Sequence, residues 1–315
     1  MNSIFKTFNF NDMVKKIFFV LFFQIVGYEL IAQDLDAMLD SVQTTQPKKE
    51  YVTAAFKSSR IINLHSPEKV APGALEFRIS HRFGALSGGS YELWGLDQAT
   101  IRLGLEYGIN DWVMIGVGRS TYQKTYDAFV KANLTRQSKG ENSRWMSILY
   151  MGSITVNTLK FTDPNRDNYF SSRLAYTHQF IFSRKFNDKF SAVISPTWVH
   201  YNLVPSELDM NDLIALGLGG RYKLTKRTSL NAEYILRIPP TNKGDLYSNH
   251  YNSLSIGVDI ETGGHVFQLH LTNSLPMIEK GFIGETTEKW TEKGIHFGFN
   301  ITREFNINTK NKKGW

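Results

Sequence analysis

The chain has 315 residues, 42% of them hydrophobic, a formal charge of +7, no cysteine and a mean hydropathy of −0.28. The negative mean excludes a bundle of membrane helices, each of which needs roughly 20 mostly apolar residues, and 22 Phe, 14 Tyr and 6 Trp against 21% charged residues exclude a disordered chain. Without cysteine there are no disulfides, zinc–thiolate sites, cysteine nucleophile or lipid-modified N-terminal cysteine.

Lys15 and Lys16 precede an apolar stretch from Ile17 to Val26, and Ala32 stands just before Gln33. A run of about ten apolar residues is too short to span a bilayer as a helix, so residues 1–32 read as a cleaved secretory signal peptide. Cleavage removes three lysines and two acidic residues and leaves a formal charge of +6. A surplus of that size suits an anionic lipid surface, and without a clustered basic patch it gives no reason to expect nucleic acid. Leu35, Met38, Leu39 and Val42 fall at helical spacing and predict one short amphipathic helix. It lies in a segment, residues 33–71, that is either periplasmic or folded into the rest of the chain as a plug.

Near Leu75 the period changes to two. Leu75, Phe77, Ile79 and Phe83 alternate with Glu76, Arg78, Ser80 and Arg82, and Ile101, Leu103, Leu105 and Tyr107 with Arg102, Gly104, Glu106 and Gly108. The same alternation recurs through Leu254–Ile260 and Ile295–Ile301. About twelve such segments run near 75–83, 99–109, 112–122, 124–136, 144–159, 169–185, 189–201, 212–225, 228–238, 250–262, 264–273 and 294–306. Most are ~9–14 residues, against ~5–6 in soluble sheets, and close to what a tilted transmembrane strand requires. Tight links at 109–112, 185–189, 224–228 and 261–265 alternate with long ones at 84–98, 160–168, 239–249 and 274–293, as in a barrel with short periplasmic turns and long external loops. Two links depart from the rule: 121–126 is short where a long loop is due, and 136–144 is long where a turn is due.

The expected fold is therefore all-β, a transmembrane up-and-down antiparallel barrel of about 12 strands over residues 72–306, after a short helical or irregular N-terminal segment and before a tail at 307–315. A soluble sandwich or lipocalin-like barrel would turn the apolar face inward, and twelve strands would enclose more space than those side chains could fill. The polar face instead carries Arg78, Arg82, Arg102, Glu106, Arg173, Glu233 and Arg237 among small residues, which suits a wet or salt-bridged lumen. On the lipid side, a cation at the midplane would cost roughly 2–4 kcal/mol. Phe170, Tyr176, Phe180, Phe182, Phe297 and Phe299, with Trp112 and Trp198 near strand ends, fit the lipid face and its girdles. The expected location is the outer membrane.

The stretches Phe56–Glu68, Ile79–Gly84, Tyr91–Asp97, Ile101–Gly108 and Gly116–Ser120 leading to Tyr126-Asp127 resemble a family of uncharacterised outer-membrane β-barrel proteins, a domain of unknown function found in Bacteroidetes-type Gram-negative bacteria. The likeness covers roughly residues 52–306. It implies an outer-membrane barrel and brings no activity or catalytic residue with it.

Ionisable residues concentrate in the first half of the mature chain: Arg78, Arg82, Arg102, Glu106, Arg119 and Asp127, and, ahead of them, Arg60, His65 and Glu68. One reading is a lumenal constellation that binds or filters small polar solutes, making the protein a channel or binding barrel. The other is a set of Arg–carboxylate pairs that tie the N-terminal segment to the wall, making it a non-conducting scaffold for a periplasmic or lipoprotein partner. Gly116, Gly118, Gly217 and Gly219 lie in strand patterns and mark bends or room for a bulky lumenal neighbour. A lipid hydrolase is the third reading, because His81 and His178 share the apolar phase of their strands. No G-x-S-x-G elbow accompanies them, and no metal motif or cofactor site is expected, since His265 and His270 point to opposite faces.

Overall fold

The computed structural model describes residues 49–307, apart from 162–164, 166 and 241–243. The expected signal peptide, the helix near 34–42 and the tail 308–315 lie outside the described residues. The strands are β1 (Glu50–Tyr51), β2 (Ala74–Ala85), β3 (Ala99–Gly108), β4 (Val113–Ser120), β5 (Tyr126–Thr135), β6 (Ser138–Lys139), β7 (Ser147–Val156), β8 (Leu174–Lys185), β9 (Phe190–Tyr201), β10 (Asp212–Lys223), β11 (Thr228–Arg237), β12 (Ser253–Thr262), β13 (His265–Thr272) and β14 (His296–Asn306). Among the described residues two short α-helices, α1 (Asp245–Ser248) and α2 (Glu279–Gly284), and several 3-10 turns lie in loops.

Each of the twelve long strands matches one stretch of period-two sequence. All pair antiparallel with their neighbours, and β14 pairs with β2 from Ala74 to Ala85, so the sheet closes into a barrel. Closure leaves no row of unpaired backbone groups to face hydrocarbon. The tight turns have local causes: the Asn110 side-chain oxygen accepts the N–H groups of Trp112 and Val113 at 2.8 and 2.9 Å, and Asn187 does the same for Lys189 and Phe190.

Both irregular links have structural explanations. The 136–146 link is long because β6 lies in it and pairs with β1, tethering residues 50–51 at the short-turn end of the barrel. The 121–125 link is short because Gln123 and Lys124 take left-handed backbone angles (φ 51° and 49°) and Ser120 N–H bonds to the Thr125 carbonyl at 2.8 Å.

The two faces are distributed inside out relative to a soluble protein. Leu103, Leu105, Ile115, Val117, Ile194 and Ile214 stand exposed on the outer wall, while Arg78, Arg82, Arg102, Glu106 and Lys131 are buried within. Among the described residues, buried polar and charged side chains outnumber buried apolar ones. That inversion is stable only where the outer wall meets lipid, since exposed apolar area in water would cost about 25 cal/mol per Å².

Candidate functional site

The lumen is occupied by the chain's own residues. From the β1–β6 pair the backbone enters at the short-turn end, reverses where Ile61 N–H bonds the Leu64 carbonyl at 2.8 Å and Arg60 bridges His65, and returns to β2. Residues 58 to 66 are all buried. A reversal inside a barrel has backbone groups that no strand can satisfy, and wall side chains take over that role. On β11, Glu233 accepts the N–H groups of Ile62 (3.2 Å), Asn63 (2.9 Å) and Leu64 (2.9 Å). Two and three strands further along the wall, Gln268 on β13 donates to the Ile61 carbonyl at 2.8 Å and Asn300 on β14 to the Ile62 carbonyl at 3.0 Å. Lys131 donates to the carbonyls of Ser59, Ser66 and Glu68 at 3.0, 3.2 and 2.6 Å, and Arg221 to those of Ala54 and Ala55.

The remaining lumenal charges divide between wall and segment. Arg102 grips Asp127 with two parallel bonds, 2.9 and 2.5 Å, across the intervening strand β4. It can do so because Gly118 lies beneath it; a Cβ there would sit 2.5 Å from the guanidinium. Glu106 accepts from Ser59 Oγ at 2.7 Å and from Arg78 Nε at 3.3 Å, and Arg78 also reaches Glu76 at 2.7 Å and the hydroxyls of Ser58 and Ser59. Arg82 donates to the side-chain oxygens of Asn63 (2.8 Å) and Asn300 (3.1 Å). Glu68 accepts the Phe56 N–H at 3.1 Å.

An apolar seam lies beside this polar one. Phe56, Ile61, Leu64 and Val70 share one buried cluster with Met114, Phe129, Leu149, Met151 and Ile181, which project inward from β4, β5, β7 and β8. Gly217 and Gly219 on β10 make room for Leu64 and Ile61, whose methyl groups would lie 2.9 and 2.3 Å from an added Cβ. The space for a bulky lumenal neighbour expected at these glycines is filled by the chain itself.

From the opposite end, the β13–β14 loop folds inward, with Met277, Ile278, Phe282 and Ile283 buried. Its α2 residue Glu279 meets the inner segment, 2.8 Å from Arg60 Nη1 and 3.0 Å from His65 Nε2. Burial, reinforced by Arg60, lowers the His65 pKa to about 3. Burial alone would raise the Glu279 carboxyl, but Arg60 and His65 outweigh it and hold the group below the usual carboxylate range. His65 is therefore a neutral donor to an ionised carboxylate at neutral pH.

Of the residues singled out in the sequence, Arg78, Arg82, Arg102, Glu106 and Asp127 share the lumen with Arg60 and His65. Arg119 does not. It is on the outer wall in the phase of Ile115 and Val117, its guanidinium 5.6 Å from the Tyr126 ring centre, so its expected place in the lumen is corrected. Arg173 leaves the lumenal set too, since it lies before β8 and donates to the carbonyls of Asn157 and Leu159. Glu279 and Lys131 were not singled out. Lys131 shares the phase of Asp127, a signal that was available; Glu279 sits in a loop without periodicity. On the outer face His81 stacks on Phe299 (5.0 Å between ring centres), and His178 Nδ1 is 2.6 Å from Tyr150 Oη. Among the described residues no group of three His, Cys, Asp or Glu is placed to hold a metal ion.

A family model described as a membrane-bound beta barrel domain (DUF5777) matches residues 56–305. A search among curated proteins finds no match. Similar solved structures include the NanC porin (10% identity, 74% of this chain and 100% of that one, TM-score 0.48) and the KdgM porin (8%, 74% and 99%, 0.45). An outer-membrane channel from Pseudomonas putida F1 is also similar (13%, 77% and 100%, 0.46).

Proposed function

Because the chain belongs to the membrane-bound beta barrel domain family and is an outer-membrane β-barrel, we propose that it passes small polar solutes and is closed at rest, with residues 53–70 as its plug. The observation that carries this reading is how the segment is held. Its carbonyls and N–H groups bond to Glu233, Lys131, Gln268, Asn300 and Arg221, side chains that would otherwise line a wet lumen. With the segment withdrawn, Arg78, Arg82 and Arg102 would face the path with Glu106 and Asp127. That lining would take anionic or zwitterionic solutes, because paired cations can exchange a protein carboxylate for a solute anion.

The second reading, a non-conducting scaffold that binds a periplasmic or lipoprotein partner, is favoured by the apolar seam of Met114, Leu149, Met151 and Ile181. A lining meant to be wet has no use for such residues. A non-enzymatic role is supported by the surroundings of the two outward histidines, which stack on Phe299 and Trp198.

Planar bilayers decide between passage and scaffold. The wild-type barrel is expected to be silent, and a variant lacking residues 55–68, with 275–285 replaced by a short Gly-Ser link, to conduct. If that variant inserts with its strand content intact and stays silent, passage is wrong and the scaffold reading stands.

A further inference from the structure

Arg119 has no part in the lumen, yet it occupies the lipid-facing phase of a membrane strand. Cross-strand register explains its surroundings. On the outer wall Leu105, Val117, Ala128 and Ile154 form one lateral row, and Leu103, Arg119, Tyr126 and Val156 form the row nearer the long-loop end. Ala128 is the small member of its row, and the two rows bound an apolar groove of about 550 Å³ on the barrel's outer surface. The row of Arg119 and Tyr126 lies beside the short 121–125 turn that joins β4 to β5. The link after β7 lies against this turn, with Thr158 Oγ donating to the Lys124 carbonyl, and the turn adds Lys124, which is exposed. Among the described residues neither Arg119 nor Lys124 has a carboxylate at ion-pair distance, and the Arg119 guanidinium lies over the Tyr126 ring.

We propose that this groove is a binding site for one phosphorylated lipid of the outer leaflet, with an acyl chain along Val117, Ala128 and Ile154 and the headgroup phosphate on Arg119. The charge and the groove are complementary to the two halves of such a molecule. An arginine near the interface, where the lipid-face penalty falls to about 0–1 kcal/mol, can present its fork of donors to phosphate oxygens in a bidentate manner. Tyr126 holds the guanidinium at the rim by cation–π contact, so little ordering is left for the lipid to impose. The short external turn thereby acquires a purpose that barrel topology alone does not give it.

Native mass spectrometry of the purified full barrel tests the site, with phosphatidylglycerol as the probe and diacylglycerol of the same chains as the phosphate-free control. One retained phosphatidylglycerol is expected, with diacylglycerol held more weakly. Arg119→Gln should weaken the phosphatidylglycerol adduct about fivefold and leave diacylglycerol unchanged, whereas Ala128→Phe, which fills the groove from the outside, should remove both. Both positions face outward, and unchanged thermal unfolding would show that the barrel is intact. Equal retention of the two lipids by wild type, or wild-type retention by both variants, overturns the proposal. So does a dimer that Ala128→Phe converts to monomer, which would make the groove an interface between copies of the chain.

Discussion

Glu233 on β11 accepts the Asn63 N–H with both carboxylate oxygens, at 2.9 and 3.0 Å, and so fixes the apex of the inner segment to the barrel wall. The apex also presents the N–H groups of Ile62 and Leu64 to the same carboxylate, so one side chain satisfies three donors that have no strand to pair with.

Glu233→Ala leaves those three donors without an acceptor, at about 1–3 kcal/mol for each buried group left unsatisfied. Because the chain contains no cysteine, a single Leu64→Cys change gives a background-free reporter. In the otherwise wild-type barrel that thiol is expected to resist a charged maleimide for hours. With Glu233→Ala added it should label within minutes, and equal labelling in the two backgrounds would show that Glu233 does not hold the apex.

At Gly219 the wall makes room for an inner-segment side chain. A Cβ there would lie 2.3 Å from Ile61 Cδ1, so Gly219→Ala should cost about 1–3 kcal/mol by overpacking. Ile61→Val trims that terminal methyl and should restore most of the loss. Thermal unfolding of the four species of a double-mutant cycle measures the coupling, which is expected to exceed about 0.5 kcal/mol; additivity would mean that the two residues do not meet.

Arg102 and Asp127 are buried partners. Asp127→Ala leaves the guanidinium buried without its carboxylate and should destabilise the barrel by about 3–5 kcal/mol. Arg102→Ala paired with Asp127→Ala should cost less than either single change. The check is the temperature at which the barrel loses its resistance to unfolding in detergent.

Acid should loosen the inner segment. The His65 pKa is lowered from 6.5 to about 3 by burial and then by Arg60, so the unfolded chain binds a proton below about pH 6.5 that the folded protein refuses. Its contribution to stability is complete above that pH and falls by up to about 1.4 kcal/mol per unit as the pH drops toward 3. Glu279, held low by Arg60 and His65 against its burial, adds a loss below its ordinary range. Wild-type barrel should therefore lose stability between pH 6.5 and 4 more steeply than His65→Gln. Parallel curves would remove His65 from the account.

The barrel was legible because its two faces meet different solvents. Alternation at period two marks each strand whatever fills the lumen, and the turn residues Asn110 and Asn187 mark where strands reverse. Arg119 shows a limit that the pattern could have overcome: it stands two residues from Val117, and its phase already placed it outside. The apolar seam shows a limit it could not overcome. Met114, Leu149 and Ile181 occupy inward positions only because Phe56, Ile61 and Leu64 come from elsewhere in the chain to meet them, and local periodicity carries no information about such a partner.

By itself the sequence determined the twelve strands and the inward phase of Arg78, Arg82, Arg102 and Glu106, which follow from residues one or two positions apart, and the up-and-down order, which follows from the alternation of short and long links. Only the tertiary structure decided that Glu233, Lys131 and Glu279 close on residues 58–66, because those contacts join groups more than 60 residues apart. What fills a barrel is set by strand register and loop placement together, and neither is written in the alternation that makes the barrel.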